Sequence, residues 1–341
     1  YAPGCYAAED ELIAVAGAVA RHGGVLNCHL RNEGNELMAA IDEFLHVARS
    51  GGAPAHISHL KIIGKANHGK IGRIVDKLEE LRAKGEDITC DVYPYPAGST
   101  TITSLIPHWA VEGGVYALLE RLRDASQREK IKDDLKKPWG AMENHVLGTG
   151  YDNIFVCGLS RLTNVGYEGK SLQEIAGLMG LEPDEALLTL IEEEEGKPSI
   201  ILFQMSEDDV REVLRLPWSM IGSDGLPLDS PILHPRHYGT FPRLLGHYAR
   251  EVGLFSVEEA VRKMTTLPAR RFNLANRGLV AEGYAADFMG FSEAVRDRAT
   301  FSEPRQYPLG IEHVIVNGAF VVRAEQFLNR YPGAHLSTPV Q

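Results

Sequence analysis

Cysteine is scarce in this 341-residue chain. Only Cys5, Cys28, Cys90 and Cys157 occur, with no CxxC pair and no dense spacing. A disulfide framework is thereby excluded, and a reducing, cytoplasmic setting is expected. Positive charge is also short: 35 Lys and Arg face 46 Asp and Glu, for a net charge of −11. That balance argues against a nucleic-acid or anionic-membrane partner, which needs a basic face. No apolar run is long enough to span a bilayer. No glycine-rich phosphate fingerprint, internal repeat or low-complexity tract is present. What remains is a globular composition, 44% hydrophobic and 24% charged, with enough length for one barrel-sized domain or two smaller units. The acidic runs Glu192-Glu193-Glu194-Glu195 and Glu207-Asp208-Asp209 read as solvated helix faces or loop edges.

Residues 1–95 alternate between helix and strand patterns. Acidic residues open a helix at Asp10, where the helix dipole favours them, and Gly23-Gly24 closes it. Helices follow over 36–48 and 71–84, and apolar strands run to His29, to His59 and over 88–93. Apolar strands separated by amphipathic helices predict a parallel sheet covered on both faces, and the short period favours a barrel. Residues 96–200 break this rhythm with helices over 116–135, 172–179 and 183–195 and a strand over 153–159, and are expected to be an insertion over the barrel mouth. Residues 199–203 and the run to Asp224 restore the α/β order, and 257–264 forms a late barrel helix. From about residue 277 to 341, short strands over 278–283, 286–291 and 314–322 with an Asn-Gly turn predict part of a small β-sandwich.

Three of these strands end on residues able to hold a metal: His29, His59 and Asp224. Side chains at the C-terminal ends of parallel strands are where a barrel builds its site. Two imidazoles and a carboxylate suit a zinc-type ion that activates water. The alternative for His29 and His59 alone is a hydrogen-bonded pair of core histidines. A buried Asp224 at a strand end needs a partner, which favours the metal reading. Strand parity turns Cys28 away from His29 and His56 away from His59, leaving both outside the ligand set. Lys61 shares the face of His59. Asp91, Tyr93 and Tyr95 share one face of the third strand, followed by Ser99. Arg236, in the loop after Asp224, can clamp a carboxylate.

Several stretches together resemble the D-aminoacylase (N-acyl-D-amino-acid deacylase) branch of the metal-dependent amidohydrolase superfamily. They are Tyr1-Ala2-Pro3-Gly4, Cys28-His29-Leu30-Arg31-Asn32-Glu33, Ile57-Ser58-His59-Leu60-Lys61, Asp91-Val92-Tyr93-Pro94-Tyr95-Pro96-Ala97-Gly98-Ser99-Thr100, Ile221-Gly222-Ser223-Asp224-Gly225 and His234-Pro235-Arg236-His237-Tyr238. The resemblance implies an α/β fold: a (β/α)8 TIM-type barrel with a small β-sandwich. It implies hydrolysis of N-acyl-D-amino acids to a carboxylate and a free D-amino acid. His29 and His59 are then ligands of one tightly held zinc. Asp224 is the acid/base and a ligand of a second, weaker metal. Lys61, Tyr93, Ser99, Arg236 and Tyr1 bind substrate. The family's His-x-His pair and ligating cysteine, its early barrel strands and half of the sandwich are expected ahead of Tyr1, since no His-x-His occurs here. Two alternatives stand beside this reading: a cyclic-amide hydrolase of the hydantoinase or dihydroorotase kind, and a catalytically incompetent fragment or binding module.

Overall fold

The computed structural model describes residues 1–226 and 230–336. Three short apolar strands come first: β1 (Leu26–Cys28), β2 (Ala55–Ile57) and β3 (Ile88–Val92). Next along the chain are β4 (Gly98–Thr101), β5 (Ile154–Cys157), β6 (Ser199–Leu202) and β7 (Ser219–Ile221). Strands β1, β2, β3 and β7 lie side by side, all parallel, as a four-stranded sheet. Helices α1 (Glu9–Arg21), α2 (Leu37–Gly51) and α3 (Ile71–Ala83) alternate with them, as parallel strands require of their connections. The apolar faces of α2 and α3, including Ile41, Phe44, Leu45, Ile74 and Leu78, pack on Ile57, Ile88 and Cys90 in the main core. Helix α1 crosses α2 so closely that a Cβ on Gly51 would lie 2.4 Å from that of Ala16. Only glycine permits that approach. Helix α2 stops at Gly52, whose φ of 72° is left-handed.

Several expectations are corrected. The helix read over 116–135 is two, Val115–Arg123 and Ala125–Leu135, because the Asp124 carboxylate accepts the Gln127 N–H and caps a new start. Residues 199–203 do not rejoin the parallel sheet. They form β6, the antiparallel centre of a separate sheet between β4 and β5. An apolar run of four residues is compatible with either kind of sheet, and its direction is set by tertiary partners. Residues 278–283 form no strand. The tail sheet is instead antiparallel β8 (Phe288–Arg296), β9 (Leu309–Val316), β10 (Ala319–Arg323) and β11 (Gln326–Phe327), in spatial order 11-10-9-8. Its hairpin turns at Asn317-Gly318, both with positive φ (47° and 79°), as an Asn-Gly turn demands. The acidic runs are not wholly solvated. Glu194 is buried and its carboxylate takes the backbone N–H groups of Ser160 and Arg161 and the amide of Asn164. Asp209, also buried, accepts the N–H groups of Gly69 and Ile71 where α3 begins.

The described residues thus form an α/β unit of four parallel strands with two antiparallel sheets, rather than a closed eight-stranded ring. Among them no helix is long and apolar enough to cross a membrane.

Candidate metal centre

His29 directly follows β1 and His59 lies two residues past β2, both at the C-terminal edge of the parallel strands. Their rings meet edge to face with centroids 4.9 Å apart, and His29 Nδ1 lies 3.1 Å from His59 Nε2. Burial, opposed by nearby Glu33, pushes His29 down to about 4. It is therefore neutral at ordinary pH, with a ring nitrogen available for coordination. The Tyr1 ring packs on it at 4.8 Å, and the Tyr1 hydroxyl meets Thr100 Oγ1 at 2.7 Å.

A third group completes the cluster, and sequence reading gave it no role. Glu33 is buried, and His29, Glu33 and His59 together offer ligand atoms within 4.8 Å of one another. Glu33 Oε1 lies 2.6 Å from Lys61 Nζ, 3.0 Å from His59 Nδ1 and 3.8 Å from His29 Nδ1. Burial works against its charge, but Lys61 and the two imidazoles hold its carboxyl well below the usual range. Lys61 is raised in turn, desolvation being overcome by the same carboxylate. The available signal was spacing: Glu33 follows His29 by four in a polar stretch just past a strand end.

Asp224 is not brought to the histidine pair. Its Oδ2 lies 2.8 Å from Arg236 Nη1. Arg236 is 1% exposed, donates Nη2 to the Ser99 carbonyl at 3.1 Å, and stacks over the Tyr93 ring at 4.8 Å. Its contact with Asp224 is ionic but not aligned as a hydrogen bond, and Nε has no acceptor. A buried guanidinium with unused N–H groups is suited to an anion from outside. Tyr93 sits between His59 and His234, both at 6.3 Å, with burial raising its phenol so that it stays protonated. His59 and Asp224 both hold positive φ, 39° and 48°. Such backbone is uncommon for these residue types and gathers at functional sites.

His56 lies outside the cluster of His29, Glu33 and His59. Strand β2 ends at Ile57 and the chain turns at His59. His56 Nε2 meets Asp91 Oδ2 at 2.9 Å while the His59 N–H donates to Asp91 Oδ1 at 2.7 Å. Both histidines therefore lean on one carboxylate, His56 from a fully buried layer with Thr89 on its other nitrogen. Cys28 packs against the main core, its thiol donating to the His29 carbonyl at 3.0 Å, and burial raises it to about 11. A cavity of about 380 Å³ opens beside His29 and Tyr1, with apolar walls from Leu30, Ile106, Val111 and Met142 and polar ones from Thr101, Thr103, Ser104, His108 and His145. Its guanidinium, Arg31, is already paired with Glu43 at 3.0 Å, and its carboxylate is Glu143.

With this geometry in view, the similarities to known proteins are specific. A model described as the Amidohydrolase family matches residues 171–322. The D-aminoacylase of Alcaligenes xylosoxydans xylosoxydans is 35% identical over 339 residues, 99% of this chain and 60% of that protein. The N-acyl-D-glutamate deacylase of the same organism is 38% identical over 322 residues, 94% of this chain and 56% of that protein. A D-aminoacylase crystal structure aligns with a TM-score of 0.79 at 34% identity, covering 98% of this chain and 60% of that one. The N-acyl-D-glutamate deacylase of Bordetella bronchiseptica, solved with zinc and a phosphonate mimic of the tetrahedral intermediate, aligns at 0.75 and 31% identity, covering 97% and 61%. The chain spans about 60% of the length of these relatives. In sequence and in fold it is related to the D-aminoacylases.

Proposed function

We propose that this protein is a metal-dependent hydrolase of N-acyl-D-amino acids, releasing a carboxylate and the free D-amino acid. The observation that carries the reading is the convergence of two strand-end imidazoles on one point, beside a buried arginine with unused donors. The neutral His29 and the 3.1 Å approach of its Nδ1 to His59 Nε2 fit a shared cation, since two imidazole nitrogens on one zinc lie at about this separation. His29 and His59 would hold it, with Asp224 serving a second, weaker position. A zinc-type ion there supplies a positive charge that polarises an amide carbonyl and acidifies water.

The protein's own groups do the rest. Asp224 accepts the water proton as the C–O bond to the acyl carbon forms, then returns it to nitrogen as the C–N bond breaks. The Arg236 guanidinium, its plane fixed by the Tyr93 ring and its charge shared with Asp224, draws the amino-acid carboxylate to this side of the site. Lys61, Ser99 and Tyr1 line the approach, and the protonated Tyr93 can donate to developing negative charge. We also read the parallel sheet as part of a (β/α)8 barrel, residues 1–276 as the hydrolase unit with 96–200 inserted, and 277–341 as part of a small β-sandwich.

The test is a hydrolysis assay of the purified protein with N-acetyl-D-leucine, its L enantiomer and a hydantoin. Release of D-leucine alone is expected. Turnover of the hydantoin in place of the D substrate would move the protein to another amidohydrolase reaction.

A further inference from the structure

Glu33 is assigned no part by the function proposed above, yet the chain goes to some length to hold it. Its backbone N–H donates to Glu143 Oε2 at 2.7 Å, and Glu143, itself partly exposed, is paired with the buried His145 at 3.1 Å. Its carbonyl accepts the Ile63 N–H at 2.9 Å. Asn32 Oδ1 takes the N–H groups of Gly34 and Glu36, fixing the turn on either side. The carboxylate so held accepts from Lys61 Nζ at 2.6 Å, and the same oxygen lies 3.0 Å from Nδ1 of His59, a contact that is ionic and not aligned as a hydrogen bond.

That nitrogen has two suitors. Lys61 Nζ lies 2.8 Å from it and can only donate, whereas Glu33 can only accept. A neutral imidazole carries one N–H. With Lys61 donating to Nδ1, the ring proton sits on Nε2, the nitrogen that faces His29. With Glu33 accepting from Nδ1–H, the lone pair moves to Nε2, toward His29 Nδ1. Only the second tautomer offers both histidines' lone pairs to one cation. We infer that Glu33 is a positioning residue: its carboxylate takes the Nδ1 proton of His59 and so fixes the tautomer in which Nε2 can ligate. Lys61 stays on Glu33 and gives up the ring. This role rests on the metal-dependent reading above, and a carboxylate behind a ligating histidine is how such rings are commonly oriented.

The experiment is zinc affinity by competition with a chromophoric chelator, for the wild type, E33Q, E33L and K61M. Melting temperatures of the metal-free proteins control for folding. E33L is expected to bind zinc about 10–100-fold more weakly than the wild type. E33Q keeps an acceptor oxygen and should recover part of that loss, which a purely electrostatic role would not allow. K61M removes the competitor and should bind at least as tightly as the wild type. In the zinc-loaded wild type labelled with 15N-histidine, the His59 proton should sit on Nδ1, with a downfield signal that E33Q shifts. Wild-type zinc affinity in both Glu33 variants, or a His59 proton on Nε2, would overturn the assignment while leaving the hydrolase reading intact. A wild-type protein that takes up no zinc would overturn both. Should E33L fail to fold, E33Q and the NMR signal decide alone.

Discussion

Two buried lysines stand at opposite ends of the same parallel sheet, and their surroundings differ in kind. Lys61, past the C-terminal end of β2, is matched by a full negative charge on Glu33 and lies among histidines. Lys263, from the helix Val257–Met264, reaches the N-terminal end of β7, where Leu216 and Ser219 offer it carbonyls and a hydroxyl, with Glu259 no nearer than 3.8 Å. Pairing raises Lys61, while burial pushes Lys263 down to about 8. One end of the sheet pairs charges around a space that a ligand can enter. The other uses a charge as a tether between helix and strand. Parallel α/β folds divide their labour in the same way, with reactivity at the C-terminal edge and stability at the other.

The largest expected break falls on the reactive end. Asp224→Asn should lower turnover of N-acetyl-D-leucine by about 10²–10⁴-fold, the usual contribution of a general acid–base. Bound zinc, measured by elemental analysis, should be nearly unchanged. Full activity in that variant would remove Asp224 from the chemistry. Arg236→Lys should raise KM by roughly tenfold with a lesser change in kcat, since an ammonium cannot reproduce a stacked, forked donor.

The smallest effect on catalysis belongs to the tether. Lys263→Met should leave kinetics per folded molecule unaltered while costing about 1–3 kcal/mol of stability for the acceptors left unpaired. It also carries a pH signature. The folded-state value of about 8 is depressed from the ordinary 10.5, so folding favours the uncharged amine. The burden of burying its charge is fully present below about pH 8 and is relieved as pH rises toward 10.5. Chemical denaturation should therefore show wild-type stability gaining on the variant across that window. A gap independent of pH would mean that the ammonium is not desolvated.

The helices and first three strands were legible because their apolar spacing and glycine stops are local features. His29 and His59 could be placed at one rim because both follow apolar runs of strand length. Glu33 was invisible for the opposite reason: an acidic residue in a polar loop is burdened only once Lys61 and Glu143 close around it from elsewhere in the chain. His56, read as a structural histidine outside the ligand set, lies outside the cluster of His29, Glu33 and His59, with its ring nitrogens bonded to Thr89 and Asp91. The direction of β6 depends on β4 and β5, more than 40 residues upstream, and no local pattern records it.

The central claim is that His29 and His59 hold a metal on which hydrolysis depends, and zinc stoichiometry tests it most directly. Elemental analysis of the purified protein, dialysed against zinc and then desalted, should give about one tightly bound zinc per chain. His59→Ala should lose that zinc together with D-leucine release, while its melting temperature in the metal-free state stays near that of the wild type. Trace zinc in the wild type, or full zinc in His59→Ala, would contradict the account.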